Sequence, residues 1–259
     1  MSVDLERLDQ CVRRWLATSR TKILAAMTAP MTVATKTGRN DLVTNVDRAN
    51  QRFLVEQIGR DYPDAHIEGE EGTQAKVERL KGLVFFVDPI DGTMNFVKQH
   101  ANFAVMIGVY EDGVPVYGAI LDVWRDELVT GGPHAPLRLN NVVIAQPEDV
   151  TLADGLLGVN GPMLIHNHLH VADVALASSG ARLLGSAGIE FKAVALGQQV
   201  GYISYLQPWD VAAGMAIGRS FGLTVTRPDG SALDLLTPGV VVAAMPQAHA
   251  QILALMTSA

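Results

Sequence analysis

A short, wholly apolar run that ends at a pair of aspartates is the feature that most constrains the fold of this chain. Residues 83–87 read LVFFV, and the string DPIDGT follows at once with Asp88 and Asp91. A run of β-branched and aromatic residues predicts a buried strand that delivers its C-terminal end to a loop. In that loop Pro89 lacks a backbone donor and Gly92 allows a close backbone approach, so both carboxylates can point the same way.

Helical and strand patterns fill the rest of the first half. Residues 1–15 repeat apolar side chains at helical spacing, as an amphipathic helix does. Residues 41–58 have the pattern of a strand end that runs into a helix. Residues 102–132 alternate as an antiparallel meander, with turns at 111–113 and 124–126.

The proline-rich stretch 131–147 is the expected passage between two halves. We expect residues 1–140 to form an N-terminal α+β half and residues 141–259 to form a C-terminal α/β half. The second half alternates short apolar strands with helical patterns, at 156–159, 169–178, 189–196, 200–205, 211–221 and 240–244. The chain therefore predicts a globular fold that mixes helices and sheets.

Charge and cysteine content exclude several function classes. The net charge is −7 and no basic stripe occurs, which argues against a nucleic-acid partner. No apolar run approaches the roughly 18 residues that span a bilayer, so we expect no membrane partner. A single cysteine, Cys11, excludes an intramolecular disulfide framework and a thiolate metal site. Residues 1–15 do not have the pattern of a signal peptide, and a cytoplasmic location is expected.

Four separated segments carry acidic residues beside glycine, proline or tryptophan: DLVTNVD (41–47), EGEEG (68–72), DPIDGT (88–93) and PWDVAAG (208–214). Each has an ordinary alternative when taken alone. The first could be a strand-to-helix corner, the second a solvated loop and the third a turn with solvated aspartates. Asp210 in the fourth could be a helix cap. Only their combination indicates a site.

A cluster of these acids would require cations. Two carboxylates about 4 Å apart repel by about 4 kcal/mol at an effective dielectric constant near 20. Because the candidate ligands are oxygens, Mg²⁺ or Mn²⁺ fits better than zinc. Such ions neutralise a phosphate, lower the pKa of a bound water and stabilise a leaving oxygen, so metal-assisted phosphoryl chemistry is favoured.

Together, and in this order, the four segments resemble the signatures of the inositol monophosphatase family: D-x-V-T-x-x-D, G-E-E, D-P-I-D-G-T and W-D-x-A-x-G. The resemblance implies a layered αβαβα sandwich of the inositol monophosphatase and fructose-1,6-bisphosphatase type, with the metals between a larger antiparallel and a smaller mixed sheet. It also implies Mg²⁺-dependent hydrolysis of a small-molecule phosphate monoester, a homodimer and sensitivity to lithium.

Carried over by motif, the resemblance implies two or three Mg²⁺ ions, with Mn²⁺ as a substitute. One ion would be held by Glu70, Asp88 and the backbone carbonyl of Ile90, and a second by Asp88, Asp91 and Asp210. A third, weaker ion would lie near Asp47 and Glu70.

The resemblance also implies catalytic and substrate-binding roles. Thr93, hydrogen-bonded to Asp47, would orient and help deprotonate a metal-bound water that attacks phosphorus in line, with Glu70 in the same catalytic set. The substrate contacts would be Gly92, Thr93, Gly185, Ser186, Ala187 and Asp210. The turn at 185–187 could also be an ordinary helix start. Lys36 matches a basic position beside the metal site, although a solvated lysine is an equal alternative.

The chain departs from the family pattern at two positions. Phe85 stands where tryptophan is common and keeps an aromatic packing role. Ile203 stands six residues before Trp209, where inositol-specific members have a glutamate that contacts inositol hydroxyls. Nucleotide, NADP and sugar phosphates are therefore alternatives to inositol phosphates.

Two other classes of protein are alternatives to this enzyme. A hydrolase with an aspartyl nucleophile would place its acids two apart, whereas Asp88 and Asp91 are three apart. A non-catalytic regulatory or binding protein could retain the fold, but the intact Asp47, Glu70 and Thr93 argue against lost catalysis. The histidine-rich string IHNHLH at 165–170 predicts a solvated loop rather than a metal site.

Overall fold

The computed structural model describes residues 3–29, 31–35, 42–71 and 76–257. The first helix, α1 (Leu5–Ala26), begins after Asp4, whose side chain accepts hydrogen bonds from two backbone N–H groups of the first turn. The helix predicted at residues 1–15 is thus present and longer than expected. Strand β1 (Val33–Thr35) pairs antiparallel with β2 (Leu42–Thr44), which runs directly into α2 (Asn45–Asp61).

The larger sheet has seven strands: β3 (His66–Gly69), β4 (Leu83–Asp91), β5 (Ala104–Glu111), β6 (Val114–Asp122), β7 (Glu127–Gly132), β8 (Ala135–Leu139) and β9 (Val142–Val143). They pair in chain order, β3 parallel to β4 and every later pair antiparallel. The apolar run lies in β4, where residues 84–91 are all buried as predicted. A short helix, α3 (Thr93–Gln99), connects β4 to β5, and the predicted meander forms β5 to β7.

The smaller sheet has five strands: β10 (Leu156–Val159), β11 (Gly180–Arg182), β12 (Gly201–Leu206), β13 (Thr224–Thr226) and β14 (Gly239–Ala244). Their order is β11-β10-β12-β14-β13; β10 is parallel to both neighbours and β14 antiparallel to both of its own. The helices of this part are α4 (Gly161–Ile165), α5 (Val171–Ala177), α6 (Ala187–Ala195), α7 (Pro208–Gly218) and α8 (Pro246–Thr257).

Helices and sheets stack in five layers. Helices α1 and α2 cover one face of the larger sheet, where Phe85 packs against the rings of Trp15 and Tyr62. Helices α6 and α7 lie between the two sheets. Helices α5 and α8 cover the outer face of the smaller sheet. The expected αβαβα arrangement is confirmed, and the larger sheet is antiparallel except for its β3–β4 pair.

Two glycines of the larger sheet allow α7 to lie very close to it. A Cβ at Gly108 would lie 2.7 Å from the backbone carbon of Ala212, and a Cβ at Gly118 would lie 2.4 Å from the carbonyl oxygen of Ala213. Side chains at either position would push the helix away from the sheet. The close contact carries the first turn of α7, and with it Asp210, toward the end of β4.

Several elements of the second half were not predicted from the sequence. Strands β11 and β13 have three residues each, too few for a period to be recognised, and α8 was not predicted. Strand β9 pairs with β8 and so carries the larger sheet past residue 140. The division into halves at that residue remains a prediction. In the described residues, no helix is both long and apolar enough to cross a membrane.

Candidate active site

The last residues of strand β4 bring two buried aspartates together. The loop predicted to follow residue 87 belongs instead to the strand, which continues irregularly to Asp91. The regular pairing of β4 with β5 is interrupted between Asp88 and Asp91, whose residues are 2% and 7% exposed. The backbone N–H of Ile90 donates to Asp88 Oδ1 over 3.0 Å. Gly92 follows with φ of 81°, in the left-handed region that favours glycine. A Cβ on Gly92 would also lie 2.8 Å from Cβ of Ser186.

The first turn of α6 holds Asp91 in place. The Ser186 hydroxyl donates to Asp91 Oδ2, and the backbone N–H groups of Ala187 and Gly188 donate to its two oxygens over 3.0 Å and 2.7 Å. Ser186 Oγ also accepts from the N–H of Ile189, as a helix cap does. The helix-start alternative is therefore correct for this turn. The predicted substrate contacts of Ser186 and Ala187 remain untested.

Glu70 and Asp210 approach the end of β4 from opposite sides. The N–H of Glu70 donates to the carbonyl of Val87, which continues the parallel pairing of β3 and β4. Asp210 lies in the first turn of α7 and accepts a hydrogen bond of 2.8 Å from the N–H of Gln207. It thus stabilises the helix start as the third residue of a capping box whose N-cap is Gln207, and it still belongs to the acidic cluster.

Burial and mutual repulsion favour protonation of these carboxyl groups. Burial first, and then the nearby charges of Glu70, Asp91 and Asp210, raises the pKa of Asp88 well above its ordinary value. Burial and the charge of Asp91 raise the pKa of Asp210 in the same way. Burial also raises the pKa of Asp91, although its bonds to α6 oppose the shift.

The cluster has the chemistry of a site for a hard divalent cation. Its donors are all oxygens, and a cation would replace the protons that burial and repulsion favour on the carboxyl groups. Within the described ranges, no group of three Asp, Glu, His or Cys side chains is arranged to hold an ion. The buried and mutually repelling carboxyls nevertheless fit a cation, which would supply the positive charge that they lack.

Thr93 and Asp47 form a second unit beside the cluster. Thr93 Oγ1 lies 3.1 Å from Asp47 Oδ1 and 3.1 Å from the carbonyl oxygen of Ile90. Asp47 is fully buried, and its other oxygen accepts from the hydroxyl and the N–H of Thr44. Thr44 in turn caps α2, and this reciprocal capping box fixes the carboxylate. Burial raises the pKa of Asp47, and the hydrogen bonds from Thr44 and Thr93 oppose that rise.

Two adjoining cavities meet at the acidic cluster. The smaller one, about 240 Å³, is lined by Leu42, Glu70, Asp88, Ile90, Asp91, Gly92, Thr93, Met94, Gly185 and Asp210. All five predicted metal-ligating residues border it. The larger cavity, about 640 Å³, shares Asp91, Met94, Gly185 and Asp210 with the first.

The wall of the larger cavity was missed by the sequence patterns. It includes Asn160, Pro162, Leu183, Tyr202, Ser204 and Tyr205. Ile203 is buried on the opposite face of β12, in the core with Leu157 and Ile252. Ile203, six residues before Trp209, therefore does not face the larger cavity, because neighbouring residues of a strand point to opposite faces. That alternation in residues 200–205 is the signal that identifies Tyr202 and Ser204.

The histidine-rich string lies apart from the cluster. His166 and His168 are exposed, and His170 Nδ1 lies 3.0 Å from Asp173. Lys36 and Asp41 lie outside the described residues.

Comparison with known proteins identifies the family to which this arrangement belongs. The family model described as "Inositol monophosphatase family" matches residues 4–259. The chain belongs to the inositol monophosphatase family. It is therefore a phosphatase, a hydrolase of phosphoric monoesters.

Individual relatives agree with this assignment. The inositol-1-monophosphatase of Bacillus subtilis (strain 168) is 34% identical over 247 residues, which cover 93% of each chain. The Nus factor SuhB of Vibrio cholerae serotype O1 (strain ATCC 39315 / El Tor Inaba N16961) is 32% identical over 219 residues, 82% of this chain and 81% of the relative. Among solved structures, an IMPase/NADP phosphatase complexed with Mg²⁺ and phosphate superposes with a TM-score of 0.91 and 27% identity, covering 98% of this chain and 97% of its own.

Proposed function

We propose that this member of the inositol monophosphatase family hydrolyses a small-molecule phosphate monoester with Mg²⁺ as its cofactor. The observation that carries the proposal is the meeting of four acids from three separate segments in one cavity: Glu70, Asp88, Asp91 and Asp210. With the carbonyl of Ile90 they would hold two Mg²⁺ ions, and a third would lie near Asp47 and Glu70. Mn²⁺ has the same ligand preference and would substitute.

The bound cation would supply charge that neutralises the phosphate, activates water and stabilises the leaving oxygen. The backbone of Gly92 and Thr93 borders the small cavity and would contact the phosphate group. Thr93 Oγ1 would accept a proton from the attacking water while its own proton passes to Asp47. The raised pKa of Asp47 suits this acceptor role. Water attacks phosphorus directly, the bond to the alcohol oxygen breaks with its electron pair on that oxygen, which takes up a proton from solvent, and no covalent phosphoenzyme forms.

The alcohol part of the substrate would occupy the larger cavity. Its wall combines the rings of Tyr202 and Tyr205 with the polar groups of Asn160 and Ser204. Tyr205 is 55% exposed, so its ring is available to a ligand. Such a wall favours an alcohol with a flat ring, as in a nucleotide or NADP phosphate, and inositol and sugar phosphates are the second candidates.

A panel of monoesters tests both parts of the proposal. Phosphate release is measured from inositol phosphates, 3′-phosphoadenosine 5′-phosphate, NADP and fructose 1,6-bisphosphate, each with Mg²⁺ and with EDTA. We expect release with Mg²⁺ only, and faster release from the esters that carry a nucleoside. Release of equal rate in EDTA would contradict the metal requirement.

A regulatory role is the second candidate, because a relative with 32% identity is named a Nus factor. The intact pair of Thr93 and Asp47 favours catalysis. Absence of phosphate release from every monoester of the panel would favour regulation instead.

Three further properties are proposed on the strength of the family alone. We propose that the protein is a homodimer, that lithium inhibits it and that it is cytoplasmic. Sedimentation analysis, inhibition of phosphate release by LiCl and cell fractionation test these properties separately.

A further inference from the structure

A buried carboxyl group that has no place in the proposed reaction lies behind the active site. Glu190 belongs to α6, is 1% exposed and borders the larger cavity. Its Oε1 accepts a hydrogen bond of 2.8 Å from the backbone N–H of Leu184. Leu184 directly precedes the turn that holds Asp91.

Both polar backbone groups of Leu184 are held by side chains. Its N–H donates to Glu190, and its carbonyl accepts a bond of 2.7 Å from Nδ2 of Asn95, on α3. The same Asn95 nitrogen donates to the carbonyl of Asn102 over 2.8 Å. The start of the turn is therefore fixed between α3 and α6.

The second oxygen of Glu190 is held against Gln199. A Cβ at Gly158 would lie 2.3 Å from Glu190 Oε2 and 2.4 Å from Gln199 Oε1, so the glycine makes room for both groups. Among the described residues, neither oxygen has a hydrogen-bond donor. Either a proton on Glu190, whose pKa burial raises to about 7, or the Gln199 amide turned so that its NH₂ group donates would join the two groups. The carboxyl group thus has one fixed orientation, with Oε1 toward Leu184.

We propose that Glu190 is a positioning residue: through Leu184 it fixes the turn at residues 184–188, whose donors orient the Asp91 carboxylate for a divalent cation. Glu190 would act through this turn and not as a ligand of the ion. Without it, the N–H of Leu184 loses its acceptor, and the Ser186, Ala187 and Gly188 donors lose their fixed place. The inference rests on the proposed function, since it assigns a cation to Asp91.

Three substitutions separate this role from simple stabilisation. Glu190→Gln keeps an oxygen for Leu184 and presents an NH₂ group to Gln199, so it reproduces the protonated acid. Glu190→Asp keeps the charge, but its side chain is one methylene shorter and moves the acceptor oxygen away from the N–H of Leu184. Glu190→Ala removes the group altogether. Val194→Ala is the matched control, because it weakens the packing of a fully buried residue on the same helix without touching the turn.

Calorimetric titration with Mn²⁺ is the primary readout, and phosphate release is the second. We expect Glu190→Asp and Glu190→Ala to weaken Mn²⁺ binding and to lower kcat/KM by about tenfold or more, as changes behind a metal ligand do. Glu190→Gln is expected to stay within about twofold of the wild-type protein, and Val194→Ala to lower Tm with unchanged Mn²⁺ affinity.

The outcomes distinguish this inference from the proposed function. The positioning role is overturned if Glu190→Asp binds Mn²⁺ with wild-type affinity, or if Glu190→Gln and Glu190→Asp lose the same amount of Mn²⁺ affinity. Either result overturns it even if the enzyme is active. If Glu190→Ala does not fold, the Gln and Asp variants still decide the question. A wild-type protein that binds Mn²⁺ but releases no phosphate contradicts the proposed function alone, and one that binds no Mn²⁺ contradicts both.

Discussion

The small cavity that contains the acidic cluster and the larger cavity beside it are built in different ways. The acids of the small cavity lie at the ends of strands or in the first turn of a helix, and backbone N–H groups hold the carboxylates of Asp88, Asp91 and Asp210. The larger cavity is lined by side chains from scattered positions, among them Leu183, Tyr202 and Tyr205. Short, contiguous motifs thus determine the reaction, whereas dispersed side chains determine the alcohol that is accepted.

Removing one carboxylate from the small cavity is expected to have the largest effect. Asp91→Asn places an NH₂ group against N–H donors and removes a charge that a cation requires. We expect kcat/KM for phosphate release to fall by about 10³-fold or more, since metal assistance supplies several kcal/mol. Asp173→Asn, at an exposed acid of α5, is the control and should retain full activity. Full activity in Asp91→Asn would refute the assignment of the cluster.

The Thr93 and Asp47 pair should affect the chemical step more than binding. Thr93→Ala removes the hydroxyl that donates to Asp47, and we expect kcat to fall by about 10²-fold or more with a small change in KM. Thr93→Ser keeps the hydroxyl and should recover most of the rate. Equal kinetics for the Ala and Ser variants would show that the hydroxyl has no part in proton transfer.

A change in the larger cavity should alter selectivity and leave the chemistry intact. Tyr205→Ala removes a ring that is 55% exposed at the cavity wall. We expect kcat/KM to fall about tenfold for a nucleotide monoester and to be unchanged for inositol phosphate, because stacking on a ring is lost. Tyr205→Phe keeps the ring and is the control. A uniform loss for all substrates would contradict the division of roles between the cavities.

The acidic cluster should make stability depend jointly on pH and Mg²⁺. The pKa values of Asp88, Asp91 and Asp210 are raised above 3.8, with burial as the first cause in each case. The metal-free folded state therefore keeps protons that the unfolded state has lost, and its unfolding free energy decreases as pH rises above about 4. Mg²⁺ should consequently raise Tm more at about pH 8 than at about pH 5.

Thermal unfolding in EDTA and in Mg²⁺ at the two pH values checks this dependence. The Asp91→Asn variant is the matched comparison and should gain less from Mg²⁺. A larger gain at the lower pH would contradict the proposed charges of the cluster.

The smallest effect is expected at Ile203, on the face of β12 turned away from the larger cavity. Ile203→Val removes one methylene from the core and should cost about 0.5–1.5 kcal/mol of unfolding free energy. The order of preference among monoesters should not change. A change in that order, measured with the same panel, would mean that this position influences the alcohol after all.

The contrast between the cavities also explains what could be predicted from the sequence. The strand before Asp88 was predicted because its apolar run is continuous, and the cluster was predicted because each acid lies in a recognisable short motif. The fixing of Asp91 by α6 joins residues 95 or more positions apart and leaves no periodic signal. The place of Ile203 in the core was not predicted, because a count along the chain does not show which face of the strand a residue occupies.

The most direct test of the central claim is an anomalous difference map from a crystal of the protein soaked in Mn²⁺. We expect peaks in the small cavity, each within coordinating distance of two or more of Glu70, Asp88, Asp91 and Asp210. A well-ordered site without such peaks, or with Mn²⁺ only elsewhere on the protein, would contradict it.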